Sequence, residues 1–220
     1  MILSRGRQYL FVHAPKTGGT SMALALEARA MKDDIMLGDT PKALNRRHRV
    51  RPAPESGRLW KHSTLADLDG IVTRDEMDGL LIFTMVRNPW DRMVSYYHWL
   101  RGQSFDHEAV RLAQGSDFET FVRAPVIAES FRRTPAAHYV TDANGTERGD
   151  LFIRLEHWRE DIGPLEGHLG FALELPHINR SDRVPDYRTA YSEASRAAVA
   201  DYCASDIARF GYRFDESPQA

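Results

Sequence analysis

Apolar residues gather in short blocks along the chain, and the loops after them are rich in glycine, proline and charge. Gln8 to His13 reads as a short buried strand that runs through Ala14-Pro15-Lys16-Thr17-Gly18-Gly19-Thr20-Ser21 into a helical pattern over Met22 to Met31. Leu80 to Val86 is apolar almost throughout, the pattern of a central parallel strand covered on both faces. It meets Arg87-Asn88-Pro89 before a predicted helix over Trp90 to Leu100. A strand, a loop and a helix thus follow one another twice. Arg58 to His62 and Leu151 to Leu155 are predicted as further short strands. Thr73 and Glu76 have capping-box spacing for a helical turn, and Phe118 to Tyr139 reads as helical, broken by Pro125 and Pro135. A last helix is predicted over Ser192 to Phe210, closed by Gly211. Asp39 to Arg58 shows no sustained period and reads as a long excursion, and Pro176 to Pro185 as a proline-bounded loop.

Strands alternating with helices predict an α/β protein with a central, mostly parallel sheet flanked by helices, a plan in which ligands bind at the carboxyl ends of the strands. The 220 residues fit a single domain over 1–220. With 42% hydrophobic and 27% charged residues, neither wholesale disorder nor a membrane bundle is favoured. A net charge of −2 gives the whole molecule no pull on nucleic acid or anionic lipid, so an anion site has to be built locally. No apolar stretch approaches ~20 residues, so no integral membrane segment is expected. Cys203 is the only cysteine, which excludes an intramolecular disulfide and reads as a buried thiol in a reducing, cytoplasmic setting.

Two loops carry candidate chemistry. Pro15 to Ser21 has the makings of a phosphate cradle, because glycines let the backbone approach an anion and the next helix turns its positive end toward it. It is not a Walker A loop: Lys16 precedes Gly18-Gly19, where that motif places lysine after its second glycine. A tight turn without ligand is the plain alternative. At Arg87, where a magnesium-dependent nucleotide hydrolase would be expected to carry an acid, the sign is reversed. Its planar fork and the Ser95 hydroxyl suit a second phosphate, unless Arg87 simply pairs with Asp91.

Phe11-Val12-His13-Ala14-Pro15-Lys16-Thr17-Gly18-Gly19-Thr20-Ser21 resembles the 5′-phosphosulfate loop of the carbohydrate-type sulfotransferases, which use 3′-phosphoadenylyl sulfate. Phe83 to Tyr97, with Arg87-Asn88-Pro89-Trp90-Asp91-Arg92 at its centre, resembles their 3′-phosphate segment. Weaker echoes occur at Leu155-Glu156, at Asn179-Arg180-Ser181 and over Asp206 to Phe214; Met31 to Arg58 and the region around Gly102 to Thr146 lie outside the likeness. The resemblance implies a P-loop-like three-layer fold and transfer of a sulfuryl group to an acceptor hydroxyl on a carbohydrate or related small molecule. It assigns Lys16 to the phosphosulfate, Thr17, Gly18, Gly19, Thr20 and Ser21 to the 5′-phosphate, and Arg87 and Ser95 to the 3′-phosphate. Arg180 is a weaker lid candidate, since the Arg-Lys-Gly lid signature of cytosolic sulfotransferases is absent. Positioned donors can carry such a transfer, and no metal is required in principle.

An acceptor hydroxyl needs a base, and His62 in Trp60-Lys61-His62-Ser63 is the leading candidate, ahead of Glu55 and Glu156. His13, inside a strand pattern, reads as a packing or loop-supporting residue. Trp90, Tyr96, Tyr97 and Trp99 read as core more readily than as an adenine platform. The basic stretch with Lys42, Arg46, Arg47, Arg49 and Arg51 reads as a solvated loop, with reception of an acidic glycan as the alternative. A nucleotide kinase and a non-catalytic nucleotide-binding module are the competing functions.

Overall fold

The computed structural model describes residues 1–49, 59–176 and 186–215. The chain forms two compact units, Met1–Val86 with Ala136–Ile178, and Arg87–Pro135 with Asn179–Ala220.

The first unit is built on a five-stranded open mixed sheet of β1 (Ile2–Ser4), β2 (Tyr9–Val12), β3 (Ile35–Met36), β4 (Leu81–Val86) and β5 (Leu151–Arg154), in the order β3-β1-β2-β4-β5. β2 and β5 both pair parallel with β4, with Phe11 opposite Phe83 and Met85 opposite Ile153. β1 runs antiparallel to both β2 and β3, so the sheet is mixed. Its helices are α1 (Gly19–Ala28), α2 (Pro41–Arg46), α3 (Arg74–Asp78), α8 (Ala136–Tyr139), α9 (Trp158–Asp161) and α10 (Gly163–Leu169).

Side chains alternate across a strand, and this places the core. Tyr9, Phe11, Phe83, Met85 and Ile153 pack with Met22 and Leu26 of α1 and with Leu165 and Leu169 of α10. Leu10, Val12 and Ile82 point the other way and pack with Leu65, Leu68, Val72, Met77 and Tyr139. β4 is buried from Ile82 to Val86, as its unbroken apolar run predicts. Thr73 caps α3 by accepting the Glu76 N–H at 3.2 Å.

The second unit is helical among the described residues, with α4 (Pro89–Arg101), α5 (Glu108–Gly115), α6 (Phe118–Arg123), α7 (Pro125–Arg133), α11 (Glu193–Tyr202) and α12 (Ala204–Phe210). Asn88 starts α4, its side-chain oxygen accepting the Trp90 N–H at 3.1 Å, and Pro89 holds the first helical position. Pro125 opens α7 in the same way. Gly211, at φ 70°, closes α12 in the left-handed conformation that glycine adopts without strain.

Four expectations need correction. The strand foreseen at Arg58 to His62 is absent from 59–62, and Arg58 lies outside the described residues. Ser63 closes a turn there, donating its N–H to Trp60 O at 3.2 Å and accepting the Trp60 N–H on Oγ at 3.1 Å; such local bonds compete with strand pairing. The excursion after Asp39 contains α2, capped by Thr40, and a 3-10 turn over Arg47–Arg49. The single terminal helix is two, α11 and α12, parted at Cys203 where φ −104° and ψ 15° leave the helical region. The sheet expected to be mostly parallel is mixed, because β1 and β3, three and two residues long and paired antiparallel, were too short for an alternation to register. No helix among the described residues is long and apolar enough to cross a membrane.

Phe83 is wholly buried and stacks on Phe11 at 5.2 Å between ring centroids. Phe83→Ala is expected to cost about 3–5 kcal/mol by emptying that space, measured as a lowered urea midpoint with β4 opening first in hydrogen exchange.

Candidate functional site

β2 ends at Val12, and His13 and Ala14 carry the buried chain into the loop before α1. Thr17 braces that loop by donating its hydroxyl to Ala14 O at 2.9 Å. Lys16 stands at φ 64° and Gly18 at φ 85°. A lysine in the left-handed region is uncommon, and such strain is a pointer to function once it is observed. Gly18 is the N-cap of α1, no side chain caps the helix there, and its first turn contains no acid. The start of α1 therefore offers an anion its backbone N–H groups and positive dipole end without a competing carboxylate in that turn.

Both glycines are dictated by close packing. A Cβ on Gly18 would stand 2.9 Å from Leu155 Cδ1, and one on Gly19 would stand 2.0 Å from His13 Cδ2 and 2.3 Å from Nε2. The His13 ring thus packs directly against Gly19, the first residue of α1.

His62 meets this assembly from the turn that follows Trp60. Its Nδ1 lies 2.8 Å from His13 O. A carbonyl only accepts, so Nδ1 carries the hydrogen and neutral His62 keeps its lone pair on Nε2. The two imidazole rings meet edge to face at 4.6 Å, and the Trp60 indole meets His62 at 4.9 Å and 90°. Burial lowers the His62 pKa to about 4, opposed by the bond to His13 and assisted by the Lys61 charge. Burial pushes His13 well below the ordinary histidine range, with the amino terminus, His62, Lys61 and Lys16 adding repulsion. Both rings are neutral at pH 7, and the half-buried His62 has the form a proton acceptor needs. Lys61 itself is held by Asp39 in an ion pair. Burial alone would raise the Asp39 carboxyl, but the Lys61 hydrogen bond and charge keep it below the usual range.

In the second unit, Arg87 directly follows the last residue of β4. Its Nε and Nη2 donate to Asp91 Oδ2 at 2.9 and 2.6 Å, one turn along α4. The pairing weighed from the spacing is therefore present, and it holds the guanidinium in a defined orientation. Ser95, one turn further, is buried, as are Trp90 and Tyr97; Tyr96 is half-buried and Trp99 more open. Arg180 and Glu55 lie outside the described residues. Glu156 sits in the 3-10 turn Leu155–His157 that follows β5. Cys203 is buried, and that burial pushes its thiol up to about 12.

The basic stretch is largely exposed, as its composition suggested, but it is helical rather than a loop. Lys42 Nζ donates to Glu27 O at 2.5 Å, Arg46 to Met31 O at 2.7 Å, and Arg49 to Lys32 O. These cations serve carbonyls at and beyond the negative end of α1. Arg51 lies outside the described residues. The Asp39–Lys61 pair and the contact of Trp60 with His62 went unread in the sequence, since 22 residues separate Asp39 from Lys61 and no spacing rule joins them. No family model matches the chain, and no curated protein matches it either.

Gly19→Ala is expected to cost about 1–3 kcal/mol through overpacking against His13, read as a fall in thermal midpoint. For His62, the folded pKa near 4 lies below the unfolded value of 6.5, so the unfolded chain binds more protons between these limits. The neutral ring's contribution to stability is therefore fully present above pH 6.5 and lost as pH falls toward 4. A denaturation series over pH 4–7 should show a shallower acid loss in His62→Gln than in the wild type, and a wild-type His62 that titrates near 6.5 by NMR would refute the buried, neutral ring.

Proposed function

We propose that the protein is a sulfotransferase with a P-loop-like three-layer plan that moves a sulfuryl group from 3′-phosphoadenylyl sulfate to an acceptor hydroxyl. One observation carries this reading. The segment His13 to Gly19 both forms a glycine-lined anion loop at the start of α1 and, through the His13 carbonyl, fixes the tautomer of an imidazole whose Nε2 is ready to take a proton. An anion site and a base held by the same seven residues suit displacement at an activated anionic group.

The residues present fit such a donor. The loop backbone from Thr17 to Ser21 and the Lys16 side chain are proposed to receive its 5′-phosphosulfate, and Arg87, held by Asp91, and Ser95 are the residues the resemblance assigns to the 3′-phosphate. Lys16 offsets the negative charge that builds on the departing phosphate. The acceptor oxygen forms its bond to sulfur as the bridging sulfur–oxygen bond breaks, and the hydroxyl proton passes to His62 Nε2. The products are a sulfate ester and adenosine 3′,5′-bisphosphate. A reducing, cytoplasmic setting agrees with the buried Cys203 thiol.

Isothermal titration with adenosine 3′,5′-bisphosphate, run beside ATP with magnesium, tests the reading. Tight binding of the bisphosphate is expected, weakened about tenfold or more by Lys16→Ala and by Arg87→Ala, each of which removes a charge-assisted contact. His62→Ala should bind it normally while losing roughly 10²–10⁴-fold in transfer rate. Preference for ATP would move the protein to a phosphoryl-transferring kinase, and full activity of His62→Ala would remove that residue as the base.

A further inference from the structure

The carboxyl end of α1 carries a basic surface that the sulfuryl transfer does not use. Arg7, in the turn between β1 and β2, and Arg29 both lie over the Phe171 ring, at 5.0 and 4.9 Å from its centroid, and Arg7 Nη2 donates to Arg29 O at 3.3 Å. Arg46 and Arg49 reach the carbonyls of Met31 and Lys32, while the Lys32 and Arg47 side chains are exposed. A carbonyl acceptor carries no formal charge, so the cations bonded to one keep theirs. Among the described residues no carboxylate pairs with any of these six, whereas Arg5, Lys61, Arg148 and Arg154 of the same unit each pair with one. The acids between Arg29 and Arg49 do little to offset them. Asp34 is buried and accepts the Met31 N–H at 2.8 Å, Asp39 is taken by Lys61, and Asp33 alone is left open. Two large apolar side chains stand in water on the same segments: Met31, 39% exposed, and Leu44 of α2, 46% exposed.

We infer that this face docks on a bilayer of anionic phospholipid, whatever reaction the site performs. The cations meet headgroup phosphates, and Met31 and Leu44 enter the boundary with the acyl chains. Because the cations come from the β1–β2 turn, the end of α1 and the segment after Thr40, they suit an extended charged surface better than one small anion. A nucleic acid or an acidic glycan would use the same cations but leave both apolar side chains in water. The ten residues of α1 span about 15 Å, which separates the docked end from the glycine loop at the other.

Flotation of the full chain with vesicles at physiological salt tests this, comparing phosphatidylcholine alone with an equal mixture of phosphatidylcholine and phosphatidylglycerol. Binding to the mixture and not to phosphatidylcholine alone is expected. Lys32→Ala and Arg47→Ala should each lower the partition coefficient about fivefold, the worth of one cation at an anionic surface. Met31→Ser combined with Leu44→Ser should lower it about tenfold and leave retention on a heparin column unchanged, since heparin offers the charge without the apolar layer. The wild-type comparison decides by itself if a variant misfolds. No binding to the mixed vesicles overturns the inference, as does equal binding to both kinds or indifference to loss of Lys32 and Arg47. Vesicle binding that survives loss of Met31 and Leu44 overturns it in favour of a soluble polyanion. Neither result touches the sulfotransferase reading, which stands or falls on the bisphosphate titration.

Discussion

The hydrogen bond from His62 Nδ1 to the His13 carbonyl, 2.8 Å long, is the contact on which the arrangement of the site depends. It is short, half-sheltered from water and one-directional, so it decides at once where the His62 ring sits and which nitrogen keeps its lone pair. Its acceptor is not free to wander. His13 is the first residue after β2, and its own ring is wedged between Phe11 and the bare Cα of Gly19. Strand, loop, helix start and imidazole are therefore one packed object, and an ångström of movement in any of them is felt by the others.

The electrostatics follow from the same burial. Two imidazoles at 4.6 Å, with Lys16 and Lys61 nearby, are poor hosts for another positive charge. The rings stay neutral, and the positive character of the region rests on the backbone dipoles at the start of α1 and on the Lys16 and Lys61 side chains. Such a division suits an anion held next to a proton acceptor, since the two tasks need opposite protonation behaviour. Asp39 moderates the balance by holding Lys61, which is why the ground beside His62 is polar without being strongly cationic.

The basic run after Asp39 shows how little composition says of placement. Read as a string, Lys42 to Arg49 looks like a docking surface for acidic molecules or a stretch left in water. In the fold, α2 and the turn after it lie along the far end of α1, where the carbonyls of Glu27, Met31 and Lys32 accept from Lys42, Arg46 and Arg49. Cations near a helix carboxyl end stabilise it by roughly 0.3–1 kcal/mol each, enough to give these residues a structural occupation.

Much of this protein was legible from its residues alone. The unbroken apolar run of β4, the glycine loop after β2, the caps at Thr73, Asn88 and Gly211 and the breaks at Pro125 and Pro135 each rest on chemistry within a few neighbouring residues, and local chemistry survives being read as text. Lys16 and the two glycines were legible as a loop for the same reason, whereas His62 was singled out through a resemblance and on a strand that the fold replaces with a turn. What only the tertiary structure decided is everything that depends on distant partners: the antiparallel β1 and β3 that make the sheet mixed, the turn that replaced a strand at Trp60, the His13 carbonyl that orients His62, the pairing of Lys61 with Asp39 and the exposure of Trp60. These contacts join residues 13 with 62 and 39 with 61, and a chain's neighbours in space are set by how its apolar faces close over one another, which no local spacing encodes.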